Sequence, residues 1–354
     1  MGAWEKNVRK VVPYTPGEQP DCTNIIKLNT NENPYPPAPG VADVLRKFDA
    51  QVLRRYPDPA AEALVCALAD HYGVKKGQVF VGVGSDDVLA MSFLTFFNGK
   101  KPILFPDITY SFYDVWADLF RIPYQCLPLD EEFEIRTEDY FRECGGIVIP
   151  NPNAPTGAEK DLSELEQIMA HNSDVIVIID EAYIDFGGES AVSLLSKYDN
   201  LLVVQTFSKS RSLAGMRIGY AFGNEKLIKY LNDVKYSFNS YTMDTVTIAV
   251  GVEAVKDDIY FQKMLKKVVD TREWTKKELR RLGFLFQDSK SNFIFATHPK
   301  CPAKALFEAL KKEGIFVRYF DKPRIDNYLR ISIGTDQEMK TLLAFLEQYL
   351  GENV

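Results

Sequence analysis

No two of the five cysteines (Cys22, Cys66, Cys126, Cys144, Cys301) are spaced as Cys-x-x-Cys, and an odd number cannot all be paired. This argues against a disulfide framework or a cysteine zinc site and for reduced thiols in a cytosolic protein. Positive charge is not in excess either: 42 Lys and Arg against 49 Asp and Glu leave a formal net charge of −7. Nothing in that balance draws the whole chain to nucleic acid or an anionic membrane, so an anionic ligand needs a local cationic site. No run approaches the roughly 18 uncharged apolar residues of a membrane span. Met1 to Lys10 lacks the apolar stretch of a secretion signal. A soluble, cytoplasmic protein is expected, with no nucleic acid or membrane as partner and no metal. Internal repeats and low-complexity tracts are absent. Gly82-Val83-Gly84 lacks the third glycine of a dinucleotide-binding turn.

What is present is a large apolar fraction, 46% of 354 residues, enough for more than one core. The first forty residues are dense in turn formers (Pro13, Pro16, Gly17, Pro20, then Asn29 to Pro37) and read as an extended arm lying over the rest. Helices are predicted over Ala60 to His71, ended by Gly73, and over Asp86 to Phe97, with Leu89, Phe93 and Phe96 on one face. Between helices lie short apolar runs: Ile103 to Phe105, Ile147 to Ile149, Val175 to Ile179, Leu201 to Val204 and Ile218 to Phe222. Runs without polar alternation imply strands buried on both faces, hence a mostly parallel sheet between helices. After about Gly251 a long charged helix runs through Arg281. It is followed by Phe293 to Phe295, Ile315 to Val317, Leu329 to Ile333 and a closing helix to Leu350. These later strands alternate more, which predicts one less buried face in a small α+β domain. The expected division is an arm over 1–40 that joins the small domain, a large domain over 41–250 and a small C-terminal domain over 251–354.

Four motifs fall at strand ends, where an open α/β sheet places its ligand crevice. In Thr206-Phe207-Ser208-Lys209, a lysine at a strand exit is flanked by hydroxyls and followed by Arg217. That arrangement suits an aldehyde cofactor carrying a phosphate. The amine forms an imine and, once displaced, shuttles a proton; Ser208 and Arg217 hold the phosphate. In Asp180-Glu181-Ala182-Tyr183, a carboxylate at the mouth of a buried strand calls for a cationic partner such as a protonated pyridine nitrogen, and Tyr183 reaches the ring's phenolic oxygen. Taken alone, the pair reads equally well as a solvated loop carboxylate beside a packing tyrosine. Val83-Gly84-Ser85-Asp86-Asp87, ahead of a helix, suits a phosphate at the helix N-terminus, or an ordinary N-cap at Ser85. Asn151-Pro152-Asn153-Ala154-Pro155-Thr156-Gly157 places an amide beside the ring hydroxyl, or simply turns the chain.

With these residues in view, the chain resembles, over essentially its whole length, the fold-type I, class II pyridoxal-phosphate aminotransferases. The motifs at Asp180 to Tyr183 and Ser208-Lys209 with Ala214-Gly215-x-Arg217 mark that superfamily. Leu28 to Pro34, Arg55-Tyr56-Pro57-Asp58 and Tyr328 to Gly334 point to its histidinol-phosphate aminotransferase family. The resemblance implies a large domain with a seven-stranded, mostly parallel sheet plus a small α+β domain, and pyridoxal 5'-phosphate as cofactor. It implies Lys209 as the Schiff-base lysine, Asp180 as partner of the pyridine nitrogen and Tyr183 as ligand of the ring hydroxyl. Ser85, Asp86, Thr206, Ser208 and Arg217 would hold the phosphate and Tyr110 would stack on the ring. Tyr56 would enter the neighbouring site of a homodimer. Arg330 would clamp the substrate α-carboxylate, with Tyr14, Asn29, Asn31 and Arg318 at the substrate's far end. The implied reaction is ping-pong transfer of an amino group between glutamate/2-oxoglutarate and histidinol phosphate/imidazole-acetol phosphate, in L-histidine biosynthesis. In one place the chain departs from the pattern: many members have asparagine immediately before Pro-Thr-Gly, where this chain has Ala154. Either Asn153 takes the role or Tyr183 carries it alone.

Arg330 has support beyond the resemblance. In Leu329 to Ile333 the apolar residues share one strand face, and Arg330 with Ser332 takes the other. Arg324 competes with Arg318 for a ligand role. An aromatic-amino-acid transaminase and a threonine-phosphate decarboxylase on the same fold stay open as alternatives. So does a non-catalytic sensor, although no helix-turn-helix extension accompanies it.

Overall fold

A computed structural model describes residues 2–20 and 24–353; Cys22 lies outside them. Among the described residues of the arm, Ala3–Asn7 forms one short turn and Ile26–Lys27 forms strand β1, and a helix begins at Pro39. Seven strands then build the main sheet: β2 (Val79–Gly82), β3 (Ile103–Pro106), β4 (Tyr124–Leu127), β5 (Gly146–Pro150), β6 (Val177–Asp180), β7 (Leu201–Thr206) and β8 (Gly219–Gly223). Their order is β2-β8-β7-β6-β5-β3-β4. The pairs from β7 through β4 are parallel, and β8 runs antiparallel to both its neighbours. The sheet is therefore seven-stranded and mostly parallel.

The apolar runs of the central strands bury both faces. Ile147, Ile149, Val177, Ile179 and Val203 point into one core, and Val148, Ile178, Leu202 and Val204 into a second core on the opposite face. Helices Glu62–Tyr72 and Thr245–Lys256 cover the first face, and helix Ser85–Phe96 covers the second. The run Val79–Gly82 was not singled out as a strand in the sequence, and neither was Tyr124–Leu127. The latter is an edge strand with three exposed residues, so no apolar run marks it.

A second, antiparallel sheet follows in the order β12-β13-β10-β9, from β9 (Leu285–Phe286), β10 (Phe293–Thr297), β12 (Arg318–Tyr319) and β13 (Leu329–Ser332). Strand β11 (Ile315–Phe316) pairs in parallel with β1, which ties the arm to this part of the chain. The expectation of a less buried face fails for β10, where Phe293 to Ala296 are all buried. Ile294 and Ala296 point into the core beneath helices Asp258–Arg281 and Asp336–Asn353. Phe295 instead joins the main-sheet core beside Phe133 and Tyr328, and Phe293 meets Tyr183 edge-on. The face expected to meet solvent meets the other half of the molecule.

One close backbone approach sets the site. Gly219, at the start of β8, lies against the turn that opens helix Ser85–Phe96, where an added Cβ would sit 2.2 Å from the Gly84 carbonyl carbon and 2.3 Å from the Ser85 nitrogen. Backbone atoms cannot swing aside as a flexible side chain does. Gly219→Ala is therefore expected to destabilise the protein by about 1–3 kcal/mol, the usual cost of overpacking, read as a lowered midpoint of urea unfolding. An unchanged midpoint would mean that the turn is free to move.

Candidate active site

The carboxyl ends of the parallel strands converge on one edge of the sheet. Pro150 pairs with Asp180, Asp180 with Val204, and Thr206 with Gly219. Beyond them opens a cavity of about 760 Å³, part of it open to solvent. Asp180, Tyr183, Thr206, Ser208, Lys209 and Arg217 line it, together with Ser85, Asp86 and Tyr110. Three of the four sequence motifs thus meet in one space, and the fourth contributes Pro152 and Ala154.

Asp180 is buried, and its Oδ2 accepts from the Tyr113 hydroxyl at 2.6 Å while Oδ1 accepts from the Ala182 amide at 3.3 Å. Burial pushes its carboxyl up to about 6; the hydrogen bonds and the nearby Lys209 charge oppose that rise. Lys209 Nζ donates to the Thr30 carbonyl at 3.3 Å and lies 5.7 Å from the Tyr183 ring centre. The arm also grips the lysine loop directly: Asn33 Nδ2 donates to the carbonyls of Lys209 (3.1 Å) and Ser210 (3.0 Å).

At the other end of the cavity, helix Ser85–Phe96 begins on Gly84, in the left-handed region at φ +87°, with no side-chain cap. The N-cap expected at Ser85 is therefore absent, and the first-turn N–H groups face the cavity mouth with their partial positive charge. Arg217 Nη2 lies 3.2 Å from Asp86 Oδ2, and Nη1 is 3.4 Å from Ser208 Oγ. Thr206 Oγ1 donates to Ser208 Oγ at 3.0 Å. The Tyr110 hydroxyl donates to Asp86 Oδ1 at 2.7 Å, and burial raises its phenol well above the usual value.

A second pocket of about 680 Å³ adjoins the first and shares Thr30, Tyr110, Ala154, Tyr183 and Lys209 with it. Tyr14, Asn29, Asn31, Arg318 and Arg330 line it, so the structure brings the five proposed far-end and carboxylate residues together. Arg330 Nη2 donates to the Asn29 carbonyl at 2.9 Å, but its Nε is buried with no hydrogen-bond partner among the described residues. Burial lowers its pKa, with the charge of Arg318 acting the same way. Arg330 as a whole is half-buried, and a buried N–H left unused on a guanidinium suits an anionic acceptor. Tyr14 stacks on Phe112 at 4.1 Å, which holds the arm across the pocket.

Three residues stand elsewhere. Asn153 is buried with its amide spent inside the turn: Nδ2 donates to the Ile108 carbonyl and Thr156 Oγ1, both at 3.0 Å, and Oδ1 accepts from Thr109 at 3.1 Å. The side chains that face the cavity from this turn are Pro152 and Ala154, neither of which carries a hydrogen-bond donor. Tyr56 is 81% exposed and stacks on Tyr241 away from the cavity of its own chain. Arg324 is engaged by Asp107 Oδ2 and the carbonyls of Leu129 and Asp130, which removes it as a rival to Arg318. Sequence reasoning had also passed over Tyr113 and Asn33. Tyr113 follows Tyr110 by three residues at the head of helix Tyr113–Phe120, one turn away, and that spacing was the available signal.

Comparison with known proteins agrees with this geometry. The profile of the family "aminotransferase class I and II" matches residues 23–346. The chain is similar to the histidinol-phosphate aminotransferase of Lactococcus lactis subsp. cremoris (strain MG1363), 53% identical over 348 residues and covering 98% of each chain. Its fold is similar to the crystal structure of histidinol-phosphate aminotransferase from Sinorhizobium meliloti in complex with pyridoxal-5'-phosphate, with a TM-score of 0.84 at 23% identity over 93% of this chain and 92% of that one. The L-threonine-O-3-phosphate decarboxylase of Porphyromonas gingivalis also shares the fold, with a TM-score of 0.77 at 20% identity over 92% of this chain and 100% of that one. Fold alone therefore does not separate the two activities.

The Asp180 carboxyl yields a pH prediction for the ligand-free protein. Its folded pKa of about 6 lies above the ordinary carboxylate value of 3.8, so the folded state binds the proton more tightly. Stability then falls as pH rises through the window between those two values. Asp180→Asn is expected to lose this slope, which amounts to at most ~1.4 kcal/mol per pH unit. Urea-unfolding free energies of both proteins across that window measure it. Equal slopes would mean that Asp180 ionises as freely as a surface carboxylate.

Proposed function

Because the chain belongs to the class I and II aminotransferases, and within them to the histidinol-phosphate aminotransferases, we propose that it transfers an amino group between glutamate and imidazole-acetol phosphate, giving 2-oxoglutarate and histidinol phosphate, in histidine biosynthesis. The cofactor is pyridoxal 5'-phosphate. The observation that carries the reading is the meeting of Lys209, Asp180, Tyr183 and Arg217 around a single cavity, in a chain 53% identical to a relative of that name.

The residues fit that cofactor. Gly84 leaves the mouth clear, since a Cβ there would sit 2.4 Å from Arg217 Nη2. The helix start, Ser208 and Arg217 form a cradle for a phosphate. Asp180 is a buried carboxylate with no ion pair among the described residues, as suits a cationic ring nitrogen. When bound, pyridoxal phosphate supplies an aldehyde that takes amines covalently and an electron-poor ring that holds the electron pair left by the α-proton.

The chain does the rest. Lys209 Nζ, beside the Thr30 carbonyl, is the base that takes and returns the α-proton. Asp180, oriented by its two donors, would pair with the ring nitrogen, and Tyr110, which lines the same cavity, would cover the ring. Tyr183, which lines the cavity, would donate to the ring oxygen. Arg330 and Arg318 receive the substrate anions. Both substrates carry one on an arm of the reacting carbon, a carboxylate in glutamate and a phosphate in histidinol phosphate, so one cationic pocket accepts either in turn. The arm, through Tyr14, Asn29 and Asn33, closes the pocket against water.

A homodimer completes the site in this reading. Tyr56 reaches into the cavity of the second copy, and the exposed apolar side chains near it in sequence, Leu45, Val52 and Leu53, are covered by that copy. The enzyme works in the cytoplasm as two large-domain and small-domain units, divided near residue 250, with the arm joined to the small domain.

Half-reactions test the activity. Glutamate and histidinol phosphate, each supplied alone, are expected to convert the bound cofactor from its aldehyde to its amine form, faster than phenylalanine or tyrosine does, with no carbon dioxide released from threonine phosphate. Turnover of the aromatic amino acids without histidinol phosphate would overturn the assignment. Lys209→Ala is expected to abolish the visible band of the lysine-bound cofactor and the turnover with it. Arg330→Ala is expected to keep the band while lowering kcat/KM for glutamate by roughly 10²-fold, as expected when one partner of a buried charge pair is removed.

A further inference from the structure

We propose that Asn31 is a positioning residue that aims the hydroxyl hydrogen of Tyr183 into the cavity, taking over from the amide that the Asn151 to Gly157 turn does not present. This rests on the reading above, in which Tyr183 donates to the cofactor's ring oxygen. Asn31 is 1% exposed and held at φ +56°, a left-handed conformation that asparagine tolerates better than most residues. Its backbone N–H donates to Ser332 Oγ at 2.9 Å, Ser332 Oγ donates to Asn31 Oδ1 at 3.0 Å, and Asn292 Nδ2 donates to the Asn31 carbonyl at 3.0 Å. The amide oxygen is thus committed to β13, and the NH₂ group is presented to Tyr183 Oη at 2.9 Å.

A tyrosine hydroxyl has one hydrogen and can accept on its oxygen. Receiving a hydrogen bond from Asn31 leaves Tyr183 its own hydrogen to give, and the ring cannot turn away, because it packs at 88° against Phe293 with centroids 5.1 Å apart. From the Asn151 to Gly157 turn, the Ala154 side chain offers no donor and Asn153 has spent both of its amide hydrogens. Tyr183 is left to serve the ring oxygen without an amide from that turn, so the direction of its hydrogen matters more. Asn31 also joins Tyr183 to Ser332, which shares a strand face with Arg330. Tyr183 and Arg330 are thus each tied to the same short stretch of the arm, Tyr183 through the Asn31 amide and Arg330 through the Asn29 carbonyl.

Asn31→Asp tests the direction of the bond. It keeps the outline of asparagine, its tolerance of the left-handed conformation and an acceptor for Ser332, but replaces the donor facing Tyr183 with an acceptor that captures the hydroxyl hydrogen. A ring oxygen that loses its donor becomes more basic and holds the neighbouring proton longer. In protein reconstituted with pyridoxal phosphate, the pH midpoint of the visible absorbance band is expected to rise by about 0.4–1 unit, the titration equivalent of one hydrogen bond. Asn31→Ala is expected to give a smaller rise, since Tyr183 then keeps its hydrogen but loses its guide. Adding Ala154→Asn to Asn31→Asp is expected to bring the midpoint back toward the wild-type value by restoring an amide on the opposite wall. A midpoint that stays at the wild-type value in both Asn31 variants overturns the proposal, even if their stability or cofactor affinity falls. A wild-type protein that forms no visible band with pyridoxal phosphate overturns the underlying reading instead, and the two failures are told apart by that first spectrum.

Discussion

A carboxylate buried at the end of a central strand, with no ion pair among the described residues, is the constraint on which the rest of the site depends. Ionised Asp180 is expensive where it stands, and burial raises its pKa accordingly. Two donors hold it in place, Tyr113 from the helix on one side and the Ala182 amide from the following turn. Neither neutralises it. Such an arrangement suits a cation that shares the space, and in the proposed reading a protonated ring nitrogen supplies it. At the opposite end of the cleft, Arg330 poses the same problem with the sign reversed: a guanidinium whose buried Nε has no partner among the described residues. Between these two incomplete charges lies Lys209, on a loop whose carbonyls are pinned by Asn33. The site is thus preorganised for partners of known sign, and the protein bears the electrostatic cost before they arrive.

The N-terminal arm does more than cover this site. It supplies a strand to the C-terminal part of the chain through Ile26 and Lys27, a stacking contact through Tyr14, and four hydrogen bonds to the Lys209 loop and to Tyr183 through Thr30, Asn31 and Asn33. Proline and asparagine suit that role for different reasons. Proline keeps the segment from coiling into a helix, and asparagine enters left-handed backbone while offering both a donor and an acceptor. The arm thus touches both the C-terminal part of the chain and the loop that carries Lys209.

Much of this was legible in the residues. Short unbroken apolar runs marked five of the seven main strands, because a strand buried on both faces has no reason to alternate, and the motifs at their ends met where such a sheet must place its crevice. The alternation in Leu329 to Ile333 put Arg330 and Ser332 on one face, and both do point there. Tyr124 to Leu127 was not legible, since an edge strand needs only one buried side. The burial of Phe293 and Phe295 was misjudged because alternation reports that two faces differ, not that one is wet; here the second face rests on another part of the same chain.

The sequence by itself determined the kind of sheet, the positions of its strand ends and the chemical type of each group that meets there, because periodicity and residue chemistry are local properties. It left open which groups are free to act. Asn153 and Arg324 carried suitable donors, yet contacts with Thr156, Ile108, Asp107 and Asp130 consume them. Tyr113 and Asn31 drew either no notice or another role until the fold set them against Asp180 and Tyr183. Availability of a hydrogen bond depends on neighbours brought from distant parts of the chain, so only the tertiary structure decided which residues hold and which are held.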